Sequence, residues 1–313
     1  MPSIDAPALA VLGPTASGKS RLALTVALRF GGEIVSCDAL QVYRHMDIGT
    51  AKPTRVDREA VVHHMLDLRE PGEDFSAGDY QCLGRQALAR IRDRGQVPVV
   101  AGGTGFYLRA LIDGLFVGPG RSEELRARMR RLLERGGIRR LYHALRRADP
   151  GISGRISPAD ASRIVRAYEI YLMTGKPMSW WQAKPGDRIE GFRWLKLALD
   201  WPREILYQRI NRRVEEMFNA GLLDEVRRLL ENYPRKCHAF KAIGYRQVAD
   251  HLEGRCSLQE AMESTQQESR RYAKRQLTWF RSLPDLKWLD AGRPWPDLEN
   301  ESIRLAEAFL AAG

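Results

Sequence analysis

Gly13, Pro14, Thr15, Ala16, Ser17, Gly18, Lys19 and Ser20 match the pattern G-x-x-x-x-G-K-[ST] at every fixed position. In this pattern the loop amides and the N-terminus of the next helix bind phosphate oxygens. Lys19 would neutralise charge on the terminal phosphates, and the Ser20 hydroxyl would ligate Mg²⁺. The pattern specifies phosphate and leaves open whether it belongs to ATP or to another diphosphate. Asp38 lies at the C-terminal end of a segment, 33–38, that reads as a strand. At the C-terminal edge of a parallel sheet, a carboxylate can act as a general base or a hydrogen-bond acceptor. It can equally cap the turn that follows. Thr104, after Gly102 and Gly103, ends a later strand and would share that crevice; two glycines allow a ligand close to the backbone. Its alternative role is also a helix cap.

Residues 8–12 and 33–38 read as strands around a helix at 19–30 that Gly31 and Gly32 end. A third strand is expected at 61–68, a helix at 77–94, a strand at 97–101 and a further helix after Gly105. Strands alternating with helices predict a parallel sheet covered on both faces. Residues 121–181 read as helices alone, and the sheet resumes at 194–200. Long helices are expected at 203–233 and 257–283. The expected class is therefore α/β: a P-loop NTPase-like parallel sheet core with a helical insertion domain and long C-terminal helices. The divisions are 1–120 for the first part of the core, 121–189 for the insertion and 190–313 for the rest of the core.

The net charge of +11 points to a polyanionic partner. Its placement is more informative. Residues 121–176 hold 14 Lys or Arg against 6 Asp or Glu, and residues 270–281 hold five basic residues and no acidic one. In that second stretch, RRYAKRQLTWFR, Arg270, Lys274 and Arg281 share a helical face while Tyr272, Gln276 and Trp279 share another. Cations on phosphates, with aromatics packed inward or stacked on bases, would suit nucleic acid. A solvated basic face is the alternative, and the second basic region favours nucleic acid. The four cysteines have no metal-ligand spacing and read as reduced thiols, and His63 and His64 as structural or surface residues. No apolar run approaches the roughly 18 residues of a membrane span, and the N-terminus has no secretory signature, so a cytoplasmic protein is expected.

The segments GPTASGKS, SCDALQVYRHMDIGTAKP, VAGGTGFYLRAL, AIGYRQ and RRYAKRQLTWFR, in this order, resemble the bacterial tRNA dimethylallyltransferases. The resemblance implies transfer of a dimethylallyl group from dimethylallyl diphosphate to the exocyclic amine of the adenosine 3′ of the anticodon in tRNA. The phosphate loop, Gly13 to Ser20, would hold the pyrophosphate with Arg213, and Mg²⁺ would be the cofactor. Asp38 would bind the amine and act as general base, with Thr104 beside the bridging oxygen. The tRNA anticodon stem-loop would meet Asp38, Ala39, Leu40 and Gln41. It would also meet Ser162, Arg163, Ile164, Val165 and Arg166 of the insertion, expected to close on it. Lys241, Ala242, Ile243, Gly244, Tyr245 and Arg246 form another such stretch. The last comprises Lys274, Arg275, Gln276, Leu277, Thr278, Trp279, Phe280 and Arg281. A monomer with no membrane contact is expected. The rival readings are a P-loop small-molecule kinase, an isopentenyltransferase of free adenylate, and a non-catalytic nucleotide-gated RNA binder.

Overall fold

The computed structural model describes residues 5–312. Its elements begin with β1 (Ala6–Leu12), α1 (Lys19–Phe30), β2 (Glu33–Cys37), α2 (Arg55–Ala60), β3 (His63–His64), α3 (Ala77–Asp93), β4 (Pro98–Gly102) and α4 (Gly105–Ile112). Next come α5 (Glu123–Glu134), α6 (Ile138–Ala148), α7 (Pro150–Ser153), α8 (Ala161–Thr174) and α9 (Met178–Gln182). The chain continues with β5 (Phe192–Asp200), α10 (Arg203–Asn219), α11 (Leu222–Asn232), a 3₁₀ turn at His238–Lys241, α12 (Tyr245–Leu252), α13 (Leu258–Phe280), β6 (Leu286–Asp290) and α14 (Trp295–Ala311).

The six strands form one parallel sheet in the order β3-β2-β4-β1-β5-β6. Alternation along β1 shows why both faces are covered. Ala8, Ala10 and Leu12 pack with Tyr80, Leu88 and Ile91 of α3 and Leu108 of α4. Leu9 and Val11 pack with Leu22 and Val26 of α1 and Leu298 of α14. A further core joins Val42, Tyr43 and Met46 to α11 and α12.

Two expectations are corrected. The strand at 61–68 shrinks to His63–His64. Met65 and Asp67 adopt φ of 66° and 54°, outside strand geometry. The Asp67 and Leu68 amides bond instead to the Gln41 and Val42 carbonyls. The helix at 203–233 breaks at Gly221, whose φ of 98° starts α11. β6 and α14 were not expected.

Residues 113–188 form a second compact unit. It takes in residues before Arg121: the Asp187 amide donates to the Leu115 carbonyl, Arg166 to the Pro119 and Gly120 carbonyls, and Glu169 accepts from the Ser122 amide. Its own core gathers Met129, Leu141, Leu145, Ile152 and Ile164. Glu169 is fully buried at its centre. Burial opposes its ionisation, but Arg126 and Arg166 hold its carboxyl below the usual glutamate range.

Candidate active site

The phosphate loop connects β1 to α1. Gly18, with φ of 93°, occupies the position before the helix, and its missing side chain lets Trp295 approach to 3.0 Å of where a Cβ would stand. Four side chains from distant segments hold the loop. Trp201 Nε1 and Arg209 Nε donate to the Ser17 and Ala16 carbonyls at 2.8 and 2.9 Å. Arg213 donates to Thr15 Oγ1 at 3.1 Å. Gln276 Oε1 accepts from the Thr15 amide at 2.9 Å. Lys19 Nζ lies 3.2 Å from the Pro14 carbonyl, and Ser17 is fully buried with its hydroxyl unpaired.

Asp38 sits just past β2. Its Oδ1 accepts from the Leu40 amide at 2.8 Å and the Gln41 amide at 3.4 Å. Oδ2 takes part in neither bond. The two sequence alternatives for Asp38 thus fall on different oxygens: Oδ1 caps the turn, and Oδ2 is uncommitted to it. The amide of Thr104 bonds to the Cys37 carbonyl, and its hydroxyl accepts from the Ala39 amide at 3.2 Å. Tyr272 lines the same cavity as Thr104, and burial with the nearby Asp38 charge pushes its phenol up to about 12. It stays a neutral hydrogen-bonding group at neutral pH.

A cavity of about 510 Å³ is lined by the loop from Thr15 to Ser20, by Asp38 and by Arg209, Arg212 and Arg213. Four cations thus gather around one carboxylate and the outlying Glu216. Burial, then repulsion from Arg213, lowers Lys19 to about 8, while Asp38 acts the other way. Burial also lowers Arg213. Lys19 and Arg213 are thus each destabilised until an anion arrives, which suits the cavity to a diphosphate. A second cavity of about 260 Å³ shares Asp38, Arg213 and Tyr272 with the first and adds Thr104, Leu40, Ile210, Val214, Met217 and Ile243. Asp38 therefore stands where a cationic chamber meets a mainly apolar one.

Other expected residues divide between the site and the core. Ala39 and Leu40 line the second cavity, as do Lys241, Ala242, Ile243 and Gly244; Gln41 lines the first. Gln41 also ties the following loop down, donating to the Thr50 and Ala51 carbonyls. Ser162, Arg163, Arg246, Lys274, Arg275, Thr278 and Arg281 are exposed. Ile164, Val165, Tyr245, Gln276 and Phe280 are buried, so their side chains pack inside the protein. Tyr245 instead donates to Glu225 at 2.6 Å, and that carboxylate accepts from the Asp47, Ile48 and Gly49 amides. Arg166 is committed to Glu169. Trp279 packs on Gly105, where a Cβ would collide with its ring, and Leu277 packs beside Leu206 and Ile210. His64 pairs with Glu33, and the four cysteines are unpaired. From sequence, Arg209 and Trp201 have no assigned role, while Tyr272 falls on the face of its helix whose aromatics pack inward or stack on bases. The four-residue spacing of Arg209 and Arg213 on one helix was the available signal for the first.

An open parallel sheet whose phosphate loop faces a carboxylate across the strand ends is the architecture of a P-loop group-transfer enzyme. A family profile described as IPP transferase matches residues 41–283. A tRNA dimethylallyltransferase of Koribacter versatilis is 48% identical over 281 residues, covering 89% of this chain and 91% of its own. That of Solibacter usitatus is 45% identical over 306 residues, covering 97% and 99%. The full-length tRNA isopentenylpyrophosphate transferase of Bacillus halodurans matches with a TM-score of 0.73 at 36% identity, covering 98% of this chain and 97% of its own. A eukaryotic dimethylallyltransferase caught acting on tRNA matches with a TM-score of 0.84 at 27% identity, covering 98% and 80%. The chain belongs to the tRNA dimethylallyltransferase family.

Proposed function

We propose that this protein transfers the dimethylallyl group of dimethylallyl diphosphate to the exocyclic amine of the adenosine 3′ of the anticodon in tRNA. The observation that carries this reading is the junction at Asp38 between a cationic and an apolar chamber. A kinase needs only the first; a prenyl diphosphate needs both.

The target base leaves its stack to reach the junction. The amine nitrogen attacks the carbon bonded to the diphosphate oxygen, that carbon–oxygen bond breaks, and pyrophosphate departs. Asp38, through Oδ2, accepts a hydrogen bond from the amine and takes the proton it loses. Lys19, Arg209 and Arg213 neutralise the charge growing on the leaving group. Thr104, whose hydroxyl accepts from the Ala39 amide, would stand beside the bridging oxygen. The open Ser20 hydroxyl and the unpaired Ser17 hydroxyl fit a Mg²⁺–diphosphate unit. Mg²⁺ there would supply further charge neutralisation.

The exposed cations Lys274, Arg275 and Arg281 would take phosphates of the anticodon stem-loop. Among the described residues, no helix is long and apolar enough to cross a membrane. We take the working form to be a cytoplasmic monomer. The test is incubation with dimethylallyl diphosphate, Mg²⁺ and unmodified tRNA, followed by digestion and mass analysis of nucleosides. A dimethylallyl-adenosine is expected. Phosphoryl transfer from ATP without RNA, and no prenylated nucleoside, would overturn the proposal.

A further inference from the structure

We infer that Gln276 is a positioning residue that fixes the phosphate loop against the turn carrying Thr104, so that leaving group and base-side residues keep one register. The inference rests on the proposed diphosphate site.

Gln276 lies in α13 and is only 6% exposed. Its Oε1 accepts from the Thr15 amide of the phosphate loop at 2.9 Å. Its Nε2 donates to the Gly103 carbonyl at 2.8 Å. One amide group therefore spans two loops that leave different strands, β1 and β4. The bond directions fix the amide's orientation, since the Thr15 amide only donates and the Gly103 carbonyl only accepts. The same contact leaves no room for a side chain at Gly103, where a Cβ would collide with Gln276 Nε2. One turn earlier on the same helical face, Tyr272 lines the second cavity together with Thr104. Seven residues on from Tyr272, Trp279 packs on Gly105. Gln276 and Trp279 of α13 thus hold Gly103 and Gly105 of one turn, and Gln276 also holds the phosphate loop. The opposite face carries Lys274 and Thr278, and Arg275 flanks the gripping face with its guanidinium over the Tyr272 ring, all three exposed. A Gln276 committed to two backbone groups cannot also contact RNA, although its neighbours can.

The test uses binding of inorganic pyrophosphate by calorimetry, tRNA binding, and single-turnover transfer on the full chain. Gln276→Leu keeps the approximate volume and loses both hydrogen bonds. Pyrophosphate affinity should fall about tenfold or more, as two lost buried bonds imply. Transfer should slow further, and tRNA affinity should stay within about twofold. Gln276→Glu guards against simple loss of the fold. As a carboxylate it still accepts from Thr15 but cannot donate to Gly103; once protonated it does both. Its pyrophosphate affinity, relative to the parent chain, should recover as the pH is lowered from 8 toward 5, because burial raises a carboxyl pKa. An unfolded or merely loosened chain has no reason to recover in acid.

The inference is overturned if Gln276→Leu binds pyrophosphate and turns over like the parent chain. It is equally overturned if the relative affinity of Gln276→Glu is independent of pH, or if tRNA affinity falls as much as pyrophosphate affinity. If the parent chain itself does not bind pyrophosphate, the diphosphate site fails; if it does and the variants match it, only the role of Gln276 fails.

Discussion

Replacing Asp38 by Asn separates the two jobs that its oxygens do. The amide retains a carbonyl oxygen where Oδ1 accepts from the Leu40 and Gln41 amides. Asn and Asp cap about equally, so stability should change by less than about 0.5 kcal/mol. What disappears is the charge and the basicity of Oδ2. Base catalysis contributes roughly a hundred- to ten-thousand-fold, or about 3 to 5 kcal/mol of barrier. Diphosphate binding should respond differently. Asp38 repels the anion directly, yet its charge also helps keep Lys19 and Arg213 protonated. These effects oppose each other, so pyrophosphate affinity should move by no more than about tenfold in either direction. A loss of transfer beyond tenfold is therefore a loss of chemistry. The assay is single-turnover transfer at saturating dimethylallyl diphosphate and tRNA, with pyrophosphate affinity, tRNA affinity and Tm measured on the same variant. Near-parental transfer would refute the general-base role. A fall in Tm with equal losses in binding and transfer would leave Asp38 only its cap.

Lys19 gives a pH prediction. Burial and Arg213 hold it near 8, and a bound diphosphate favours its ammonium form, so binding takes up a proton once the pH exceeds about 8. Pyrophosphate affinity of the parent chain, divided by that of Lys19→Ala to cancel the ligand's own titration, should fall as the pH rises through 8. A ratio constant from pH 7 to 9.5 would contradict this, and near-normal turnover in Lys19→Ala, expected to lose roughly a hundredfold, would remove the loop from the reaction. On the exposed face of α13, replacing Lys274 and Arg275 together by Ala should shallow the log–log salt dependence of tRNA binding by about one unit per lost phosphate contact. An unchanged slope would turn that face away from the RNA.

Local signals carried the core of the fold. Helix α1 spans the expected residues because Lys19 opens it and Gly31 closes it within one segment. The all-helical reading of 121–181 matches α5 to α9 for the same reason: helix periodicity is local. What escaped was set by partners far along the chain. Residues 61–68 look like a strand, but residues 41–42 take the amides of Asp67 and Leu68. Leu286–Asp290 joins the sheet only because β5 offers its edge, pairing Lys196 with Leu286 and Asp200 with Asp290.

The site shows the same division more sharply in α13. Its helical spacing correctly puts Tyr272, Gln276 and Trp279 on one face, but spacing cannot say what that face meets. A family resemblance that marks Lys274 to Arg281 as one RNA-contacting stretch merges two faces of a helix. Only packing separates them: Lys274 and Arg275 stay in solvent, while Gln276 turns inward to two backbone groups contributed by β-strand loops some 170 and 260 residues away. Because both its partners are main-chain atoms, no side-chain pattern at Thr15 or Gly103 announces them. The one trace left in the sequence is a glycine at 103, needed because a side chain there would occupy the space of the Gln276 amide. In a glycine-rich turn that also allows a ligand close approach, that requirement is invisible until the helix is in place.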